Sequence, residues 1–269
     1  MQFAVDGAMN RFLSESAEPD VRINVAWRDR PWDPCGEKIF DSGGVWQLYS
    51  TNESYCFHCL SPPVGPLPYI VAAFDRRFSQ GKIQLYHDYF KGGTPVNPLV
   101  YPLDELLVSN LLSLGRGLEV HACGLITPAG DGYLFPGFSG AGKTTMARLW
   151  EEVPGVTILS DDRIILRRSD GLFWMYGTPW HGEAELAAPI RARLKEIFFL
   201  HQGLTNELVA KCQSEAAARL FSCAFPTFYS AAGLEFTLAF LEEVTAAIPC
   251  HDFFVFPDHR VIEFLADRR

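Results

Sequence analysis

The sequence predicts an α/β protein in which a β-rich region, residues 1–100, precedes a domain built around a phosphate-binding loop, residues 101–269. Three observations support this class. Segments in the first region alternate apolar and polar residues, leucines after residue 102 recur at helical spacing, and a glycine-rich segment separates a predicted strand from a predicted helix. The order strand, glycine loop, helix, strand is typical of an α/β unit.

The N-terminal region shows the period of two that is expected of half-buried strands. The alternating stretches are residues 21–27, 45–49 and 82–87. Prolines and glycines predict turns between them, among them Pro31, Pro34, Gly92 and Gly93. We expect a small antiparallel sheet, with a boundary to the next region near residues 98–102.

The second region is predicted to alternate helices and strands. Leucines at helical spacing predict a helix over residues 104–114. Two strands joined by a proline-glycine turn are predicted next, at residues 118–126 and 132–135. Composition then predicts a helix at 143–152, and apolar runs predict strands at 156–159 and 197–200.

The strongest motif is a phosphate-binding loop. Gly137-Phe-Ser-Gly-Ala-Gly142-Lys143-Thr144 matches the pattern G-x-x-x-x-G-K-[ST] at every required position, between a predicted strand and a predicted helix. In such a loop, backbone N–H groups and the positive end of the helix dipole converge on phosphate oxygens. Lys143 is expected to reach the β- and γ-phosphates, and Thr144 is expected to hold Mg²⁺.

Two carboxylates, Asp161 and Asp162, follow the predicted strand 156–159. In a parallel α/β sheet the carboxyl ends of the strands meet at one edge, so both side chains are expected near the metal and the γ-phosphate. One carboxylate would serve the metal, and the other would take the proton of an incoming hydroxyl or position a water molecule. The alternative is that the pair only caps the turn at the strand end.

Composition argues against several other classes. The 32 acidic residues outnumber the 23 basic residues and give a net charge of -9, whereas nucleic-acid-binding domains carry basic patches. The sequence shows no apolar run of bilayer-spanning length and no secretory pattern in its first residues, so we expect a cytoplasmic protein without a membrane partner. Cys56 and Cys59 would need a second ligand pair to form a zinc site, and the simpler interpretation is two thiols on a strand.

The histidine before the loop, the loop and the aspartate pair together resemble the ATP-binding catalytic domain of the HPr kinase/phosphorylase family and its shorter relatives. His121 lies in the strand before the loop, and Asp161 and Asp162 follow the next strand, in the same order and at similar intervals as in that family. The resemblance covers residues 115–170 well and the rest loosely. It implies a P-loop core of the HPr kinase and phosphoenolpyruvate carboxykinase type, and transfer of the γ-phosphoryl group of ATP to a serine hydroxyl.

The resemblance also implies roles for single residues. Lys143 and Thr144 match the phosphate and Mg²⁺ residues. Asp161 matches the proposed base, and Asp162 would support the metal or the nucleophile, although the sequence leaves open which aspartate has which role. His121 matches a histidine close to the phosphates, while its apolar neighbours suit a core histidine equally well. The nucleotide-binding set would comprise Gly137, Phe138, Ser139, Gly140, Ala141, Gly142, Lys143, Thr144 and Thr145.

The chain departs from the bifunctional members of that family. Thr145 stands where they carry a glutamate, and their later Arg-Gly-x-Gly signature is absent, so neither phosphorylase activity nor HPr as substrate is expected. Residues 176–183 instead resemble the Pro-Trp-x-Gly segment of short HPr-kinase-like proteins, some of them encoded with peptide-maturation cassettes. Trp180, His181 and Glu183 would line the acceptor or metal side, or would form a turn with an aromatic plug.

The sequence thus leads to the hypothesis of an ATP- and Mg²⁺-dependent serine kinase that phosphorylates a hydroxyl group of a peptide, a protein or a small molecule. The family often assembles, which makes a homo-oligomer a further expectation. Arg219 and Arg260 are additional candidates for phosphate contacts, without a supporting motif. The alternative is a nucleotide-binding regulatory module, which would need the loop and the metal but no base. A carboxykinase or lyase would require arginine and metal-ligand sets that the sequence does not display.

Overall fold

The structure is a computed structural model that describes residues 3–5, 7–15, 18–29, 36–63, 65–90 and 96–266. The turns predicted at Pro31, Pro34, Gly92 and Gly93 lie outside these residues. The protein is mixed α/β with two sheets, and it divides into two compact units. The first unit comprises residues 1–7 and 14–114, and the second comprises residues 8–13 and 115–269. A 3-10 helix, Gly7–Phe12, precedes the first strand.

The described residues of the first unit form six strands and one helix. These elements are β1 (Arg22–Arg28), β2 (Glu37–Asp41), β3 (Trp46–Ser50), β4 (Ser54–Cys59), β5 (Ile70–Asp75), β6 (Gln80–Tyr86) and α1 (Leu103–Ser113). The strands lie in the order β1-β6-β5-β4-β3-β2, and neighbours are antiparallel except for the parallel pair of β1 and β6. The expectation of a wholly antiparallel sheet is therefore wrong for the pair of β1 and β6. Four other strands lie between these two in the sequence, and this long connection allows the two strands to run in the same direction.

Aromatic packing forms much of the core of the first unit. Phe57, Phe74 and Phe78 are almost fully buried, and the ring centroids of Phe74 and Phe78 lie 5.6 Å apart. Cys56 and Cys59 are buried on β4. Both thiols are free and lie on one strand, and no cluster of metal-ligating side chains is found within the described residues.

From residue 115 onward, the described part of the second unit forms eight strands and four α-helices. These are β7 (Leu118–Ile126), β8 (Gly132–Pro136), α2 (Lys143–Glu151), β9 (Thr157–Ser160), β10 (Arg163–Ser169), β11 (Leu172–Gly177), β12 (Arg191–Gln202), β13 (Glu207–Ala210), α3 (Gln213–Phe221), α4 (Ala231–Ala247), β14 (Cys250–Val255) and α5 (Arg260–Ala266). Seven strands follow the order β11-β10-β7-β8-β12-β14-β13, while β9 pairs with β7 and β11 also pairs with β12. None of the helices in the described part of the chain has both the length and the apolar composition that a membrane crossing requires.

Two hydrophobic clusters form on the second sheet because strand residues alternate between its faces. Leu134 of β8 belongs to a cluster that includes residues of α3 and α4. Its neighbours Tyr133 and Phe135 belong to the other cluster, which includes Met146 and Trp150 of α2 and residues of α5. The helix that follows the glycine loop is thus fixed to the sheet by its own apolar side.

The strands around the glycine loop do not form the parallel arrangement that the sequence suggested. β8 and β9 each pair antiparallel with β7, which lies between them, because β7 and β8 form a hairpin. β9 and β10 follow one another along the same edge of β7. Asp161 and Asp162 form the two-residue connection between β9 and β10. Because β8 and β9 are both antiparallel to β7, they run in the same direction. The aspartates therefore follow a strand that runs in the same direction as β8 but is separated from it by the antiparallel strand β7.

Replacing Phe198 by alanine tests the core beside α2. This side chain is fully buried, and its ring centroid lies 5.4 Å from that of Phe135 and 5.7 Å from that of Phe253. We expect Phe198→Ala to lower the free energy of unfolding by about 3–5 kcal/mol, because a large buried ring leaves a cavity. Phe228→Ala, at a ring that is 63% exposed, should change it by less than about 1 kcal/mol. Urea titrations of the two variants measure the difference, and equal losses would contradict this packing.

Candidate functional site

The glycine loop connects β8 to α2, and two of its residues have left-handed backbone conformations. Gly140 has a φ of 83° and Gly142 has a φ of 98°. A side chain is strained in this region, so glycine is the residue that fits both positions. Gly142 is also the residue that precedes the first turn of α2. The loop therefore places the N-terminal backbone N–H groups of α2 at its own mouth, where they favour an anion.

Lys143 is a buried charged residue at the start of α2. Its Nζ atom donates hydrogen bonds to the carbonyl oxygens of Gly137, at 2.9 Å, and of Phe138, at 3.0 Å. Burial lowers the pKa of the Lys143 amino group below its ordinary value, and the nearby charge of Asp162 opposes this shift. An anion at the loop would compensate the cost of burying this cation.

Asp162 lies between two basic side chains. One carboxylate oxygen is 2.9 Å from Nε2 of His121, and the other accepts a hydrogen bond from Nε of Arg163 at 3.0 Å. The backbone carbonyl of Asp162 accepts a hydrogen bond from the amide of Ala122, which fixes the residue against β7. Burial alone would raise the pKa of Asp162, but the hydrogen bond from His121 and the charge of Arg163 lower it below its usual range.

Asp161 is buried, and backbone donors hold its carboxylate. Its two oxygens accept hydrogen bonds from the amides of Gly182 and Ala184, both at 2.9 Å. A Cβ atom at position 182 would lie 2.8 Å from the Asp161 carboxylate, so glycine is required for this approach. The hydroxyl of Ser160 donates to the carbonyl of Trp180 at 2.8 Å. Asp161 therefore anchors the segment 180–184 beside the loop.

Arg163 links the site to a buried carboxylate that the sequence reasoning missed. Its guanidinium lies 3.9 Å from the centroid of the Phe225 ring, and NH1 lies 3.7 Å from Oε1 of Glu119. Glu119 is almost fully buried on β7. The adjacent Asp-Asp-Arg sequence could have suggested the contact between Arg163 and Asp162. The contacts with Glu119 and Phe225 arise from long-range pairing, since the Phe225 amide donates to the carbonyl of Glu119.

One cavity of about 380 Å³ brings most of the predicted site residues together. The predicted residues that line it are His121, Ser139, Gly140, Gly142, Lys143, Thr144, Thr145, Asp161 and Asp162. Gly182 and Glu183 complete the lining. Of the three residues singled out in the segment 176–183, Glu183 reaches this cavity, whereas Trp180 and His181 are not among its lining residues. The cavity thus combines phosphate-loop residues with three carboxylates.

The two arginines named from the sequence have different positions. The Arg219 guanidinium lies 5.5 Å from the ring centroid of Phe138, the loop residue next to Ser139. Arg260 lies against Phe256, 4.9 Å from its ring centroid, and forms an ion pair with Asp258 at 2.7 Å. Phe256 does not line the cavity that contains the aspartates. Arg219 thus contacts a residue of the loop itself, whereas Arg260 contacts a residue outside the lining of this cavity.

The donor set suits a hard divalent cation. Thr144, Asp161, Asp162 and Glu183 offer hydroxyl and carboxylate oxygens, which Mg²⁺ prefers. No group of three or more His, Cys, Asp or Glu side chains in the described ranges could hold a metal ion by itself. Mg²⁺ commonly binds through one or two carboxylates together with substrate phosphates and water. The residues present therefore fit a cation that arrives with a nucleotide.

No protein-family model matches this sequence, and no curated protein matches it significantly. The functional interpretation of the cavity consequently depends on the residues that line it and on their contacts.

The shifted pKa of Asp162 predicts a pH-dependent contribution to stability. A lowered pKa in the folded state stabilises the fold above the ordinary aspartate pKa of about 3.9, and this contribution is lost as the pH falls through the folded-state value. Asp162→Asn should therefore unfold at lower urea concentration than the wild type near neutral pH, and the difference should narrow below about pH 4. Asp170→Asn, at an exposed position, is the matched control. A difference for Asp162→Asn that stays constant with pH would contradict the charge network.

Proposed function

We propose that the protein is an ATP- and Mg²⁺-dependent phosphotransferase of the HPr kinase-like type, with a P-loop core of that family, which transfers the γ-phosphoryl group to a serine-type hydroxyl. The observation that carries the proposal is the single cavity in which the loop residues Lys143 and Thr144 meet Asp161, Asp162 and His121. Phosphoryl transfer depends mainly on positioning and charge stabilisation, and this cavity offers groups for both.

Binding of the phosphates is assigned to the loop and its basic neighbours. The backbone N–H groups at the start of α2 would contact the phosphate oxygens, and Lys143 would exchange its bonds to Gly137 and Phe138 for the β- and γ-phosphates. Arg219, beside Phe138, is close enough to the loop to act as a further phosphate contact. Its fixed donor geometry suits phosphate oxygens.

Thr144 and Asp162 are the residues that would hold Mg²⁺. When bound, the cation neutralises charge on the β- and γ-phosphates. Asp162 is suited to this role because its lowered pKa keeps the carboxylate ionised. His121 and Arg163 each contact one of its oxygens and so fix the direction of the side chain.

Asp161 is assigned the role of general base. In the described part of the chain it forms no ion pair, and its two backbone hydrogen bonds leave a lone pair on each oxygen. The acceptor hydroxyl would give its proton to Asp161 while its oxygen attacks the γ-phosphorus and the bond to the β–γ bridging oxygen breaks. The products are the phosphorylated acceptor and ADP. The acceptor, a peptide, a protein or a small molecule, would approach beside Glu183, which is exposed at the cavity.

Lys143→Ala tests the phosphate assignment. Loss of a charged donor should weaken Mg·ATP binding about tenfold to hundredfold, because hydrogen bonds to charged groups contribute roughly 1.5–3 kcal/mol. Lys195→Ala, at an exposed position on β12, is the matched control and should bind like the wild type. Calorimetric titration measures both. Unchanged affinity of Lys143→Ala would remove the basis of the loop assignment.

Asp161→Asn separates a phosphotransferase from a regulatory module. The change keeps the size of the side chain but exchanges one of the two oxygens that accept from Gly182 and Ala184 for an NH2 group. The loop itself is untouched, so Mg·ATP affinity should change little while the transfer rate falls by at least about 10² to 10⁴, the usual contribution of a general base. The assay follows conversion of ATP to ADP with serine-containing peptides and small hydroxyl compounds. If the variant instead lost Mg²⁺-dependent binding, Asp161 would be a metal ligand. If the wild type transferred phosphate to none of these acceptors, the protein would be a nucleotide-binding regulatory module.

A further inference from the structure

A second cavity, of about 420 Å³, borders the glycine loop at Gly140, Ala141 and Gly142. It is bordered by α2 and by the carboxyl ends of β12 and β14. Three residues, Gly140, Gly142 and Thr145, line both this cavity and the one that contains the aspartates. A single ligand that lies across the loop can therefore occupy both cavities at once.

The two cavities differ in chemistry. The first contains Lys143 and three carboxylates, whereas the ionisable side chain in the lining of the second is His201, which is paired with Asp252 at 2.8 Å. The walls of the second cavity are mainly apolar, and they include Met146, Leu149, Leu200, Val255 and Phe256. An apolar lining with few polar groups is typical of sites for small organic ligands, and volumes of roughly 300–1,000 Å³ are usual for them. This cavity suits a flat, uncharged ring better than a phosphate.

The fold explains why this wall lies beside the loop. β12 and β14 are parallel neighbours, so Leu200 and Val255 lie close to one sheet edge. A Cβ atom at Gly142 would lie 3.9 Å from the Leu200 side chain, which shows how closely this wall approaches the loop. Ligands of open α/β sheets bind outside the carboxyl ends of parallel strands. Gln202, two residues after Leu200 and on the same face of β12, adds an amide that can donate and accept hydrogen bonds.

Phe256 provides an aromatic surface at the rim of this cavity. Its side chain is 37% exposed, and the Arg260 guanidinium lies 4.9 Å from its ring centroid. Arg260 is held in turn by Asp258. This contact fixes one side of the Phe256 ring and leaves ring surface available for stacking with a planar ligand.

We propose that the second cavity binds the base of the nucleotide whose phosphates occupy the first cavity, so that the ligand is a nucleoside triphosphate and not a bare polyphosphate or a sugar phosphate. This proposal rests on the proposed function, since it assumes that the loop binds phosphates. It assigns Leu149, Leu200, Val255 and Phe256 to contacts with the base.

The test compares Mg·ATP with Mg·tripolyphosphate, which lacks the nucleoside. The wild type should bind ATP about tenfold more tightly or better, because burial of apolar ring surface contributes roughly 25 cal/mol per Å². Leu149→Trp fills the cavity from α2 and should lower ATP affinity about tenfold while tripolyphosphate affinity stays within about twofold. Leu238→Trp, on α4 at a side chain that is 51% exposed, is the matched control and should change neither affinity.

Phe256→Ala is the second variant, because it removes a wall and adds no bulk. It should also lower ATP affinity selectively, so it keeps the test decisive if Leu149→Trp is poorly folded. ATP affinity that both variants leave unchanged would overturn the base site but not the phosphate loop. Equal loss of ATP and tripolyphosphate binding in both variants would also overturn it, because the cavity would then have no separate role. A wild type that binds neither ligand would overturn the proposed function itself.

Discussion

The hydrogen-bond register of β7 is the constraint on which the candidate site depends. This strand pairs with β8 on one edge and with β9 and β10 on the other. Its residues His121 and Ala122 lie where the pairing with β9 ends and the pairing with β10 begins. The amide of Ala122 binds the carbonyl of Asp162, and the amide of Gly137 binds the carbonyl of His121. The first residue of the loop, Gly137, and the second aspartate, Asp162, are thus both hydrogen-bonded to the dipeptide His121-Ala122. A shift of register by one residue would turn His121 to the other face of the sheet.

Charge balance around Asp162 follows from the same strand. β7 contributes Glu119 and His121, two residues apart and therefore on one face, and Arg163 of β10 lies opposite His121 in the register. The Arg163 guanidinium reaches both the buried Glu119 and Asp162. A buried cation is tolerated when it is paired, and loss of one partner leaves an uncompensated charge. The orientation of Asp162 therefore depends on a carboxylate that does not line the cavity.

Local sequence was sufficient to predict the parts of the site that are continuous in the chain. The loop from Gly137 to Thr144, its flanking elements β8 and α2, and the strand that carries His121 all follow from short patterns. The strand order was not predictable in this way, because the alternation of apolar and polar residues shows which side chains are buried but does not show which strands pair or whether they pair parallel or antiparallel. The partners of Asp161 and Arg163 escaped prediction for the same reason, since Gly182 and Phe225 reach the site through long-range pairing.

The position of Lys143 connects the loop to the energetics of ligand binding. Its amino group donates to two carbonyls of its own loop, and burial disfavours its charge. The donor is an ammonium group, so each of these hydrogen bonds has a net value of roughly 1.5–3 kcal/mol, and a phosphate that takes over the ammonium group must first offset their loss. A phosphate can do so because its oxygens carry negative charge, which a carbonyl oxygen does not, and the partly buried site strengthens the attraction between the two charges. The same exchange frees the carbonyls of Gly137 and Phe138, so binding is expected to change the conformation of the first two residues of the loop.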